Sequence, residues 1–123
     1  MIQGIIVGHR DIGDGFLRAL ESIVGSREHI LFLSNDGLST NDLADEIRKV
    51  AAGSAHDGAI IFVDAYGGSC WRAAKLARVS MCCIISGLNL PMLLSFMNKR
   101  ETVSFDEFPD VIVTDGKRGI KTD

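Results

Sequence analysis

The sequence predicts an α/β domain built on an open, doubly wound sheet, mostly parallel, with helices on both faces. Two observations predict it. Four short apolar runs lack the alternation of a sheet with one wet face, so they read as strands covered on both sides. Between successive runs lie stretches whose apolar residues recur at helical spacing. Strand–helix–strand repeats of this kind require parallel pairing with right-handed crossovers.

The elements follow in order. "GIIVG" is apolar throughout and stops at Gly8-His9-Arg10. "GDGFLRALESIVG" places Phe16, Leu17, Leu20, Ile23 and Val24 at helical spacing, with Gly25 as a stop. "HILFLS" is the second strand. Ser39 and Asp42 then make a capping-box-like start for a helix bearing Leu43, Ile47 and Val50. "GAIIFVD" is the third strand, and "AYGGS" turns into a third helix carrying Trp71, Ala74, Leu76 and Ala77. "MCCIIS" is the fourth strand. "GLNLPMLLSFMNKRE" is the fourth helix, with Pro91 near its first turn, where a missing N–H costs nothing. In the tail, "SFDEFPDVIVTDGKRGIKTD", Pro109 and the β-branched "VIVT" argue against a regular helix. A short final strand is expected there, near Gly119–Thr122.

A chain of 123 residues is long enough for one core and too short for two, so residues 1–123 read as a single domain. The apolar and charged fractions, 46% and 24%, are those of an ordinary soluble protein. A net charge of −3 with scattered basic residues gives no footprint for nucleic acid or anionic lipid. No run approaches the roughly 20 apolar residues of a membrane span, and no signal peptide is read at the N-terminus. The three cysteines, Cys70, Cys82 and Cys83, are odd in number, and two are adjacent in an apolar run. That argues against a disulfide framework and for a reducing cytoplasm. Cys82 and Cys83 read as core filling, because no second ligand pair accompanies them, and neither a metal nor a cofactor is expected.

In open parallel sheets, ligands bind outside the carboxyl ends of the strands. Strand one ends at His9 and strand three at Asp64, followed by "AYGGS". Gly67 and Gly68 permit a tight turn that offers backbone N–H groups to a ligand. Ser69 is placed at the N-cap of the third helix, where free N–H groups and the positive end of the dipole attract anions. A carboxylate can hold one imidazole nitrogen protonated and leave the other free as a nucleophile. If that nucleophile attacked a phosphoryl group, the glycine nest would stabilise its oxygens. Each piece has an ordinary reading alone. A histidine at a strand end is usually a polar loop residue, as His29 and His56 read here. Asp64 can simply cap its turn, Gly-Gly-Ser is a common turn, and Trp71 and Met92 read as packing residues. A P-loop is excluded, since Asp14-Gly15 stands where Lys-Ser/Thr would be required.

Together, "IIVGHRDIGDGFLRAL", "IIFVDAYGGSCWRAA", "SGLNLPML" and "GKRGIK" resemble the mannose-family EIIA component of the bacterial phosphoenolpyruvate-dependent sugar phosphotransferase system. The motifs fall in the family's order across nearly the whole chain. The resemblance implies that His9 accepts a phosphoryl group from a histidine-phosphorylated carrier protein and passes it to an EIIB component. It implies that Asp64 orients His9, and that Gly67, Gly68 and Ser69 hold the phosphate. It also implies a homodimer in which a short antiparallel terminal strand is exchanged, with the membrane reached only indirectly through a transporter complex. Two residues depart from the pattern: Gly8 and Arg10 stand where the family usually has Ser or Thr and Gly. Gly8 removes a hydroxyl, whereas Arg10 adds a cation able to pair with phosphate. With no EIIB segment following, the acceptor is expected to be a separate protein.

Three rivals stand beside this reading. One is a regulatory module whose phosphorylation state controls a partner without sugar transport. Another is a receiver domain, ranked last because "GHRD" supplies too few acidic ligands for Mg²⁺ at the end of strand one. The phosphoryl donor subunit of dihydroxyacetone kinase belongs to a related group, but its turn lacks the "YGGS" form.

Overall fold

The computed structural model describes residues 1–53 and 57–123; His56, read above as a loop residue, lies outside them. Strands and helices alternate as β1 (Gln3–Gly8), α1 (Ile12–Val24), β2 (Ile30–Ser34), α2 (Thr40–Ala52), β3 (Ala59–Val63), α3 (Ser69–Ala77), β4 (Cys82–Ser86) and α4 (Leu90–Lys99), with α5 (Phe108–Arg118) last. The sheet has the order β2-β1-β3-β4, and every pairing in it is parallel. The central strands β1 and β3 are buried at every position, and the edge strands β2 and β4 are half-buried.

Unbroken apolar strands require cover on both faces, and the helices divide accordingly. Because successive strand residues point to opposite faces, Ile6, Ile60 and Phe62 pack with Leu20 of α1, Phe96 of α4 and Phe108 of α5. Ile5, Val7, Ile61 and Val63 pack on the other face with Leu43 and Ile47 of α2 and Ala73, Ala74 and Ala77 of α3. Phe62 and Phe96 meet edge to face at 5.6 Å, and Phe96 stacks on Phe108 at 5.7 Å. Each such pair adds about 0.5–1.5 kcal/mol beyond its buried area.

Winding reverses direction at the centre of the sheet. From β1 the chain steps outward to β2, then returns across β1 to lay down β3 on its other side. The carboxyl ends of β1 and β3 therefore flank the topological switch point, the place where open α/β sheets leave a crevice. Val7 pairs with Val63 at that end, so the residues leaving the two strands, His9 and Asp64, emerge side by side.

Two expectations about helix starts hold. Ser39 caps α2 and its Oγ accepts from the Asp42 amide at 3.1 Å, and Pro91 stands in the first turn of α4; the cap of α4 is Asn89, which accepts from the Met92 amide. The tail differs from expectation. Residues 108–118 form helix α5, with Pro109 in its first turn, where the ring costs no hydrogen bond. The few tenths of a kcal/mol lost per β-branched residue are outweighed by fully burying Phe108 and Ile112. Gly116 completes that stripe by letting α5 approach α4, since a Cβ there would lie 2.6 Å from Met92 Cγ. The expected strand near Gly119–Thr122 is absent. Gly119 closes α5, and residues 120–123 are exposed and irregular. The element that was to be exchanged in a dimer is thus not a strand. No helix among the described residues is long and apolar enough to cross a membrane.

Candidate functional site

His9 leaves β1 with its ring half-exposed, while the Asp64 side chain is only 12% exposed. Asp64 Oδ2 accepts from the His9 backbone amide at 2.9 Å and lies 2.6 Å from His9 Nδ1. One carboxylate oxygen thus fixes both the backbone and the ring of the same residue. With an ionised Asp64, Nδ1 carries the proton and donates it to Oδ2, which leaves Nε2 as the ring's free lone pair. Burial pushes the Asp64 carboxyl up, but the ring and amide hydrogen bonds from His9 outweigh it and hold the carboxyl below its ordinary value. Its other oxygen, Oδ1, is buried and has no hydrogen-bond partner.

The loop carrying His9 is stitched to the end of β2. The Arg10 amide donates to Asn35 Oδ1 at 3.2 Å, and Ser34 Oγ donates to the Arg10 carbonyl at 2.6 Å. These bonds hold Arg10 at φ +51°, in the left-handed region that costs a non-glycine residue roughly 1–2 kcal/mol. Its exposed guanidinium has no hydrogen bond or ion pair among the described residues. Gly8 is crowded: a Cβ there would sit 2.7 Å from Ile12 Cγ2 and 3.4 Å from Asp64 Oδ2. The hydroxyl expected at that position is therefore missing from a space that Ile12 fills.

Gly67 turns the chain at φ +79° after β3, and Gly68 caps α3. Ser69, expected at the cap, is instead the first helical residue. The reason is local. Gly68 already adopts the extended cap conformation, and its carbonyl accepts from Arg72. No side-chain cap bond is made, so the opening N–H groups of α3 keep no intrahelical acceptor. They stand on the same sheet edge as His9. Tyr66 is 76% exposed and lies against Trp71, their ring centroids 4.9 Å apart, with Lys75 over the indole.

The structure brings together His9, Asp64 and the start of α3, each from a different element. It adds Cys70, which sequence reasoning passed over, with Sγ 3.8 Å from His9 Nδ1. The signal was present, since Cys70, Ala73, Ala74 and Ala77 share one helical stripe and all are buried. Burial and the Asp64 charge push its thiol up to about 11. Cys82 and Cys83 lie apart on β4, half-buried as filling residues, and all three thiols are free. Met92 is in the core; Trp71 is packed against the α2–α3 cluster yet partly exposed.

The chain is similar to known proteins over most of its length. Residues 3–113 match the EIIA-man family model, described as the PTS system fructose IIA component. The chain is 32% identical over 120 residues to YadI of Escherichia coli (strain K12), covering 92% of this chain and 80% of that protein. It is 26% identical over 109 residues to the PTS system sorbose-specific EIIA component of Klebsiella pneumoniae, covering 87% of this chain and 81% of that protein. The crystal structure of a phosphotransferase system EIIA component from Streptococcus agalactiae superposes with a TM-score of 0.90 at 27% identity, covering 99% of this chain and 97% of that one.

Proposed function

Since the chain belongs to the EIIA-man family, and is thus an EIIA component of a sugar phosphotransferase system, we propose that His9 is its phosphorylated residue. The observation that carries this reading is the 2.6 Å contact between His9 Nδ1 and Asp64 on a ring that remains half-exposed. Nε2 attacks the phosphorus of a phosphohistidine on the donor, a small carrier protein. The new N–P bond forms as the donor's breaks, and the donor imidazole leaves. Positive charge develops on the His9 ring as Nε2 bonds to phosphorus, and Asp64, through Nδ1–H, neutralises it. Asp64 orients the ring and does not itself react.

The turn of Gly67 and Gly68 and the N–H groups from Ser69 onward receive the phosphoryl oxygens. The Arg10 guanidinium takes them in a fork, in partial replacement of the hydroxyl that Gly8 lacks. Transfer then runs in the same sense to an EIIB component. An exposed ring suits exchange between proteins, and the exposed Ile12, Leu38 and Tyr66, all in the loops and helix start at this edge, offer apolar contact to a partner. In this reading residues 1–123 form one carrier domain, working in the cytoplasm, as three unpaired thiols favour. The half-buried edge strand β4 favours a homodimer, because an open strand edge can pair with another copy.

The test is to incubate the protein with phosphoenolpyruvate, enzyme I and the carrier protein and to locate the label. An acid-labile, base-stable phosphate on His9 is expected. Undiminished labelling of His9→Ala, or a label on Asp64, overturns the reading.

A further inference from the structure

Cys70 lies against the His9 ring, yet phosphoryl transfer leaves it unused. We propose that His9, Asp64 and Cys70 form a binding site for a borderline-soft divalent cation of the Zn²⁺ kind, and that the bound cation blocks His9 as a phosphoryl acceptor. Binding does not depend on the functional reading above; only the blocking does.

The three donor atoms, a ring nitrogen, a carboxylate oxygen and a thiol sulfur, lie within 4.8 Å of one another. They come from the ends of β1 and β3 and the first turn of α3, so the core that orders the sheet also orders the set. Nitrogen, sulfur and a single carboxylate suit Zn²⁺, whereas Mg²⁺ and Ca²⁺ want more oxygens than are here. Tetrahedral bonds of about 2.0 Å to nitrogen and oxygen and 2.3 Å to sulfur space the donors by roughly 3.3–3.6 Å. The Nδ1–Sγ separation is already 3.8 Å, and Nδ1–Oδ2, at 2.6 Å, has to open. Once Nδ1 gives up its proton, the half-exposed His9 ring can turn from Oδ2 toward Cys70 Sγ, and its solvent side leaves a fourth position for water.

The ordinary reading is that Cys70 only fills the small-residue stripe of α3. It accounts for the burial of Cys70. It does not account for a sulfur placed against the one ring nitrogen that Asp64 also holds. On binding, the thiol proton passes to solvent and the ring proton moves from Nδ1 to Nε2, since a metal takes the thiolate and a neutral imidazole. Nε2 thereby loses the lone pair that attacks phosphorus. The Nδ1–H···Oδ2 bond is lost as well. The ring then has neither its orienting partner nor a nearby free carboxylate to neutralise the charge that phosphorylation creates.

The full chain, stripped of metal, is titrated with Co²⁺ as a spectroscopic probe, with Zn²⁺ as competitor and Mg²⁺ as the hard-ion control. One equivalent of Co²⁺ with a thiolate-to-cobalt absorption band is expected, displaced by Zn²⁺ and not by Mg²⁺. Cys70→Ala should abolish the band and weaken binding at least tenfold, as loss of a ligand costs no less than loss of its supporting shell. Cys70→Ser guards against a packing defect in Cys70→Ala: it too should lose the band while melting like wild type. The double variant Cys82→Ser/Cys83→Ser should keep the band. A band that is absent from wild type, survives in Cys70→Ala, or disappears in the β4 double variant overturns the site. In a second arm, Zn²⁺ should slow labelling of wild-type His9 at least tenfold and that of Cys70→Ala much less; equal slowing overturns the block. If metal-free protein takes no label while the cobalt band is present, the functional reading has failed and the metal site stands.

Discussion

Replacing Asp64 by asparagine tests how much of the site is charge and how much is orientation. Oδ2 accepts from both the His9 amide and Nδ1. A side-chain amide in Asp64→Asn that turned its NH₂ toward His9 would face the backbone N–H donor to donor. It would also leave its oxygen in the buried place where Oδ1 has no partner. With the oxygen toward His9, both hydrogen bonds survive and only the NH₂ is unsatisfied, at a cost of about 1–3 kcal/mol. The second orientation is therefore cheaper, and it preserves the tautomer with Nε2 free. What is lost is the charge. A hydrogen bond to a charged group is worth roughly 1.5–3 kcal/mol against 0.5–1.5 for a neutral one. The bond to the backbone amide is equal in ground and transition states and does not enter the rate. The ring bond strengthens as charge develops, so its weakening by about 1–2 kcal/mol should slow transfer some 5–30-fold. The assay is the single-turnover rate of His9 labelling from phosphorylated carrier, with the ring tautomer read by nitrogen NMR. A loss of about 10⁴-fold with the proton moved to Nε2, the outcome of a tautomer switch, would refute the orientation argument. An unchanged rate would remove Asp64 from the mechanism.

Other perturbations separate fold from function. In α1, a Cβ at Gly13 would lie 2.1 Å from Phe32 Cδ1, whereas one at Gly15 would meet nothing within 4 Å. Overpacking costs about 1–3 kcal/mol or more and the helix gains about 1 from alanine, so urea denaturation should find Gly13→Ala less stable and Gly15→Ala more stable than wild type. Arg10→Gly removes a left-handed arginine and should raise stability by about 1 kcal/mol while shortening the phosphohistidine lifetime; if the lifetime is unchanged, Arg10 is only surface. Hydrogen bonds to Lys99 and Ser95 hold Asp115 below the usual carboxylate range, and those from His9 do so for Asp64 against the opposing effect of burial. Carboxyls depressed in the folded state stabilise it above their unfolded value, and the gain is lost as pH falls through the folded one. The urea midpoint should thus drop below about pH 4, and less steeply in Asp64→Asn or Asp115→Asn.

The alternation of apolar runs and helical stripes was enough to determine the doubly wound sheet, because β1 and β3 need cover on both faces and only parallel crossovers supply it. The position of His9 and Asp64 at two strand ends was equally legible, since it depends on where apolar runs stop. The tail was not: Pro109 falls in the first turn of α5, where it costs no hydrogen bond, and the valines carry a local preference of only tenths of a kcal/mol per residue, which the burial of Phe108 and Ile112 against α4 overrides. Nor could sequence show that one oxygen of Asp64 takes both His9 bonds, that Ile12 fills the space beside Gly8, or that Cys70 reaches the ring. Those facts are separations of a few ångströms between residues 4 to 61 positions apart. They are fixed by strand register and by the pitch of α1 and α3 on the sheet, which no single segment specifies.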